Sequence, residues 1–336
     1  MKSKGALRVF RGALFAFAVA SCAPATSAGR PGEPGSKEAS SLELFQQRED
    51  RLFKTGYRLV TANARYCERQ SLSTGLLLHD AKSYGDPAAV RRLFGLSGDI
   101  GVQSVASGSP AERVGLKQND TLVAFADAGI EDNFPPSRPG WKRLSQLREQ
   151  FDQSLSAGQL RLVWRDTDGN ERTDAISGVP ACTSRFELLD DSRAAEADGE
   201  RVMLGQNFPA FGYSEDEFAA AVAHELAHNL LAHVATLDRL GRTQSNIRLS
   251  ERDADRLMPW LLHNAGYDPR AAVSFMRRWG PKYGGGLLRK RTHDGWDERV
   301  EFIEAEIALL DARIRDHGDA DWRTGFSPML GAGSSQ

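Results

Sequence analysis

His224-Glu225-Leu226-Ala227-His228 is the stretch of this chain best equipped for chemistry. Residues four apart share one face of a helix, so His224 and His228 can offer two imidazole nitrogens to a single zinc ion. Glu225 lies about 100° round the helix from His224, close enough to take a proton from a metal-bound water. The pattern is that of metal-assisted hydrolysis. A tetrahedral site needs a third protein ligand, and Ser250-Glu251-Arg252-Asp253-Ala254-Asp255 supplies one. Glu251 and Asp255 are again four apart, so one carboxylate can bind the metal while the other receives the N–H of a ligating imidazole.

The elements that must hold these groups can be read around them. Ser214-Glu215-Asp216-Glu217 is a capping box, and Phe218 to Val234 continues it as a helix nearly apolar all round, which is therefore buried. Two histidines and a glutamate on such a helix are costly unless something such as a metal satisfies them. Pro259 is expected to end or kink the helix that carries Glu251. On a continuous helix His233 falls about 140° from His228 and is expected not to share its metal. His79 and His263 have no spaced partners and read as structural; His293, on its residues alone, is either structural or functional.

Taken together, H-E-L-A-H at 224–228, E-x-x-A-D at 251–255, Leu261 to Pro269, and Thr292-His293 with Arg299 resemble family forty-eight of the metallopeptidases, the family of the CAAX prenyl proteases and HtpX-like bacterial quality-control proteases. The resemblance covers about residues 181 to 315. It implies a gluzincin fold with His224, His228 and Glu251 on one Zn2+ per chain, Glu225 as general base, His293 near the metal and Arg299 bracing the cleft. Phe186 to Leu204 should supply the edge strand that aligns substrate; where the family often has an Asn-Ala pair, this chain has Ala194-Ala195.

Gly101 to Val105 alternates as a strand, Ser109-Pro110-Ala111 starts a helix, and Gly115-Leu116 leads to a strand at Thr121 to Phe125. On these elements the chain between residues 88 and 180 resembles a PDZ domain of the bacterial protease-associated kind. Asn119 stands where the family usually has glycine, and Asn tolerates the left-handed conformation. A helix through Leu144, Leu147 and Phe151 and a strand at Leu160 to Trp164 complete it. Such a groove takes an extended peptide or C-terminus as an added strand, and Leu93-Phe94-Gly95-Leu96 is the candidate carboxylate-binding loop.

The fold class expected is therefore α+β: a mainly helical zincin (gluzincin) metalloprotease domain at 181–317 with an inserted small β-rich PDZ domain at 88–180. Residues 1–21 have the basic start and short apolar run of an export signal, and Val19-Ala20-Ser21-Cys22 resembles a lipobox that would make Cys22 the lipidated N-terminus. Residues 22–41 form a flexible tether, 42–87 a helical segment packing on the protease domain, and 318–336 a C-terminal tail. With Cys22 set aside, an exported protein is expected to join Cys67 to Cys182; two buried free thiols are the alternative.

The 336 residues are 40% hydrophobic and 26% charged, as in soluble globular proteins, and the net charge of −2 gives no electrostatic case for nucleic acid. The reading is a zinc metalloendopeptidase of the bacterial envelope, a periplasm-facing lipoprotein of the outer membrane, acting on unfolded or misassembled envelope proteins. The alternative is an envelope chaperone or scaffold with a structural or latched zinc, in which the PDZ domain carries the function. An intact Glu225 favours the enzyme, since a structural site needs no general base.

Overall fold

The computed structural model describes residues 36–137, 140–190, 192–283 and 294–331. Cys22, His293 and residues 1–21, read above as an export signal, lie outside the described residues. The chain is α+β. No helix among the described residues is long and apolar enough to cross a membrane.

The described residues open with a long helix, α1 (Ser36–Ala62), and a short strand, β1 (Gln70–Ser73). There follow β2 (Leu76–Asp80), α2 (Pro87–Phe94), β3 (Ile100–Val105), α3 (Pro110–Arg113), β4 (Thr121–Phe125), β5 (Ala128–Gly129), α4 (Ile130–Asn133), α5 (Trp141–Ser156), β6 (Leu160–Arg165) and β7 (Glu171–Ile176). These form an antiparallel sheet of order β2-β3-β4-β6-β7, with β5 on β4. Alternation buries Leu160, Leu162 and Trp164 on one face of β6, and the four-residue spacing of Leu147, Phe151 and Leu155 turns one stripe of α5 onto the same core. Asn119 takes a φ of 72° in the turn before β4, the left-handed conformation expected of it.

Three differences from the sequence reading appear here. The sheet starts at Leu76, before position 88, because Leu76–Asp80 pairs antiparallel with β3. Leu93 to Leu96 is not an open loop: it closes α2 at a left-handed Gly95, and Phe94 and Leu96 are buried in a small cluster with Ala81 and Val90. In the segment assigned to a tether, α1 is already helical from Ser36.

The second half opens with β8 (Val179–Cys182), which pairs with β1, and with β9 (Arg185–Leu189), β10 (Ala195–Ala197) and β11 (Arg201–Gly205). The last three form a sheet of order β10-β11-β9, leaving β10 at an edge. Then come α6 (Glu215–Leu230), α7 (His233–Leu240), α8 (Gln244–Asn264), α9 (Ala271–Tyr283), α10 (Trp296–His317) and α11 (Trp322–Gly325). Cys67 and Cys182 are joined, with Cα atoms 5.5 Å apart. The bridge closes a loop around the entire β-rich part, which is how an inserted unit is tied at its base.

α1 serves both halves. Leu52, Leu59 and Val60 lie in the helical core, and buried Asn63 donates to Leu261 O while accepting from Asn264 Nδ2 and Trp322 Nε1. On its other side Gln46, Glu49 and Asp50 bond to Asn119, Gln103 and Ser104 of the β-rich part. Burial, with Glu187 and Asp190 adding to it against the hydrogen bond from Gln103, pushes the Glu49 carboxyl up from 4.5 to about 7. A carboxyl raised on folding contributes fully below its unfolded value and loses that contribution as pH rises through the folded one. Glu49→Gln should therefore match the parent in chemical denaturation near pH 4.5 and exceed it above pH 7; equal stability at pH 8 would remove the assignment.

The described residues of the segment read as a tail, as far as Leu330, are packed. Trp322, Phe326 and Leu330 are buried in the helical core or beside it, and the carboxylate of Asp253, fully buried on α8, accepts from Met329 N and Leu330 N. Arg256 adds a bond to Ser327 O. Asp253→Ala strands two backbone donors and is expected to cost about 1–3 kcal/mol in urea denaturation. A change under about 0.5 kcal/mol, the range of surface substitutions, would show that the segment is held by packing alone.

Candidate metal centre

α6 starts where the sequence placed it. Ser214 Oγ accepts from Glu217 N at 3.3 Å and Ser214 N donates to the Glu217 carboxylate at 3.1 Å. Ala219, Ala220, Ala223 and Ala227 are fully buried, so helices pack against α6 with little side chain between. α8 lies alongside and brings Glu251 and Asp255 to the histidine face. It runs on through Pro259 to Asn264; Met258, Trp260, Leu261 and Leu262 are all fully buried, and that packing outweighs the missing backbone donor.

Three donors converge. His224 Nε2 is 3.4 Å from His228 Nε2 and 3.5 Å from Glu251 Oε2, and His228 Nε2 is 3.7 Å from Glu251 Oε1. Zinc bonds of about 2.0–2.1 Å would place tetrahedral donors about 3.3–3.4 Å apart. The observed separations therefore fit a metal ion of that size, and His224, His228 and Glu251 could hold one.

Around the three stands a ring of charge. Arg299 grips Asp255 with two bonds, Nε to Oδ2 at 2.6 Å and Nη2 to Oδ1 at 2.7 Å, both side chains buried. Asp255 Oδ1 in turn lies 3.1 Å from His224 Nδ1, an ion-pair distance at an angle short of a well-aligned hydrogen bond. Burial alone would lower the His224 imidazole, but Asp255, Glu251 and Glu225 outweigh it and raise it to about 10. The place favours positive charge, which a bound dication would supply. Burial raises the Glu225 carboxyl to about 7, with Glu251 and Glu196 adding to the rise and His224 and Arg299 opposing it.

The continuous helix on which His233 was placed is not present, although His233 stays outside the donor group as expected. α6 does not continue to Val234: it ends at Leu230, Ala232 takes a φ of 51°, and α7 begins at His233. The break turns His233 back, so that its Nδ1 stands 2.9 Å from His228 Nδ1. Burial pushes both rings down, His228 to about 4 and His233 to about 3, so both are neutral at pH 7. Asn229 was also missed. Its side chain accepts from Gly199 N at 2.7 Å and donates to Ser184 Oγ at 3.0 Å, tying α6 to the sheet that carries β10. A polar residue beside His228 on an otherwise apolar helix was the available signal. His79 is buried against Tyr84 and Phe94 in the β-rich part, and His263 is exposed; neither belongs to the group.

No family model, no curated protein and no solved structure matches this chain. The chemistry of the site carries the functional reading.

Proposed function

We propose that the chain is a zinc-dependent endopeptidase, with a zincin-type helical domain and a PDZ-like β-rich unit. The carrying observation is the convergence of His224 Nε2, His228 Nε2 and a Glu251 carboxylate, with Glu225 outside the donor set and near enough to His224 and Glu251 for their charges to act on its carboxyl. Two imidazoles and one carboxylate suit zinc and leave a fourth position for water or substrate. Bound there, zinc supplies an acidified water and polarises the scissile carbonyl.

The chain's own residues do the rest. Glu225 takes the water proton and passes it to the leaving amine, in keeping with a carboxyl raised to about 7. Asp255 and Arg299 hold His224 in place. The edge strand β10 offers unpaired backbone along which a peptide can be aligned, and Asn229 fixes that sheet to α6. In the same reading His293 either steadies the oxyanion or latches the site as a fourth ligand; activity that rises on changing His293 picks the latch. The setting proposed is the bacterial envelope, with Cys22 lipidated at the outer membrane and unfolded or misassembled envelope proteins as substrates, a peptide or C-terminus seated in the PDZ-like unit. The bridged Cys67–Cys182 pair agrees with an oxidising compartment.

The test is metal content and hydrolysis of an unfolded generic protein by the chain from Ser36 onward. One zinc per chain, with cleavage abolished by a chelator and restored by zinc, is expected. Bound zinc without cleavage would turn the reading toward the scaffold or the latched enzyme.

A further inference from the structure

On the reading that His224, His228 and Glu251 hold zinc, we propose that His233 is a positioning residue that sets the tautomer and ring orientation of His228. A neutral imidazole carries one N–H. For His228 to offer the lone pair of Nε2 to a metal, its proton must sit on Nδ1, and a buried N–H there needs an acceptor. The group within reach is His233 Nδ1, at 2.9 Å. The ring planes cross at 75° with centroids 4.9 Å apart, so the contact is nitrogen to nitrogen and not a stack.

With the proton between the rings on His228, its Nε2 faces His224 Nε2 and Glu251 as a donor atom for the metal. With that proton on His233 instead, His228 carries its own on Nε2 and presents an N–H to the same place. Acceptance by His233 and ligation by His228 are thus one coupled choice of tautomer.

The backbone points the same way. On a continuous helix a residue five positions on would face about 140° away. Ala232 at φ 51° interrupts the helix and returns the ring, although a non-glycine residue is disfavoured in that region. His233 is 3% exposed, and accepting on Nδ1 places its own proton on Nε2, a buried N–H with no partner among the described residues, which is the cost of this tautomer. A side chain placed for packing alone would have no need of a strained residue before it or of a polar ring in that position. The two ligands are held differently: His224 by a carboxylate that Arg299 neutralises, His228 by a neutral ring that adds no further negative charge beside Glu225 and Glu251.

The experiment compares the parent with His233→Ala, His233→Leu and His233→Asn. Zinc affinity is read by competition with a chromophoric chelator, and the tautomer of His228 by long-range proton–nitrogen NMR of the metal-free proteins. The parent should show His228 as the Nδ1–H form. Alanine and leucine should weaken zinc about 10–100-fold and mix the tautomers, while asparagine, whose Oδ1 can stand where Nδ1 stood, should stay within about threefold of the parent. Leucine binding zinc as tightly as the parent, or leaving the His228 tautomer unchanged, overturns the proposal in favour of packing. A parent that takes up no zinc defeats the metal reading itself, and the tautomer measurement on metal-free protein still decides the role of His233.

Discussion

Glu225→Gln is expected to lower the turnover of a peptide substrate by about 10²- to 10⁴-fold while the protein keeps its zinc. Glutamine has nearly the shape of glutamate and does not disturb the donor set, because Glu225 is not among the three residues that converge. What it cannot do is accept the proton of water. The environment prepares the native carboxyl for that step: burial raises it to about 7, so near neutral pH it is part ionised and basic enough to hold the proton in transit. Metal content measured beside kcat separates the two effects. Loss of zinc with loss of activity would make Glu225 a structural support, and residual turnover above about a tenth of the parent would remove it from the reaction.

Arg299→Met is expected to cost the metal-free protein about 3–5 kcal/mol in urea denaturation. Arg299 and Asp255 are both buried and joined by two short bonds, and Glu225 and Glu251 lie close by. Methionine fills the volume but leaves Asp255 without its cation, the arrangement in which a buried ion pair is most costly to break. Burial alone would raise the Asp255 carboxyl; Arg299 and His224 outweigh it and hold it below its usual range. Its contribution is therefore complete above the unfolded value near 3.8 and is lost as pH falls through the lower folded one. Saturating zinc should restore part of the loss, since a ligand that binds only the folded state raises its stability. A loss below about 1 kcal/mol, the range of an exposed pair, would mean that water reaches Asp255.

The donor group was legible because helical period fixes which residues share a face. His224 with His228, and Glu251 with Asp255, needed only α6 and α8 to form and pack. The capping box at Ser214 was legible for the same local reason. The bridge between Cys67 and Cys182 followed from the expectation of export and the count of cysteines. His233 was not legible, because the break before it falls at an alanine in Leu230-Leu231-Ala232, where no glycine, asparagine or proline announces a left-handed residue. The strand Leu76–Asp80 was hidden in a short run of leucines without alternation, and its partner lies beyond an intervening helix. The last packed segment did carry a signal. Trp322, Phe326 and Leu330 stand four apart, and their large apolar side chains belong in a core.

The attachment of that segment to Asp253 bears on the order in which the molecule is assembled. Asp253 is two positions from Glu251 on α8, and the backbone groups that satisfy it come from Met329 and Leu330, 76 and 77 residues later. A growing chain has every member of the donor group well before it has the residues that brace the helix bearing the third one. The centre reaches its braced form only once Met329 and Leu330 have been made and fold back, so a nascent or prematurely ended polypeptide carries the donors without their support.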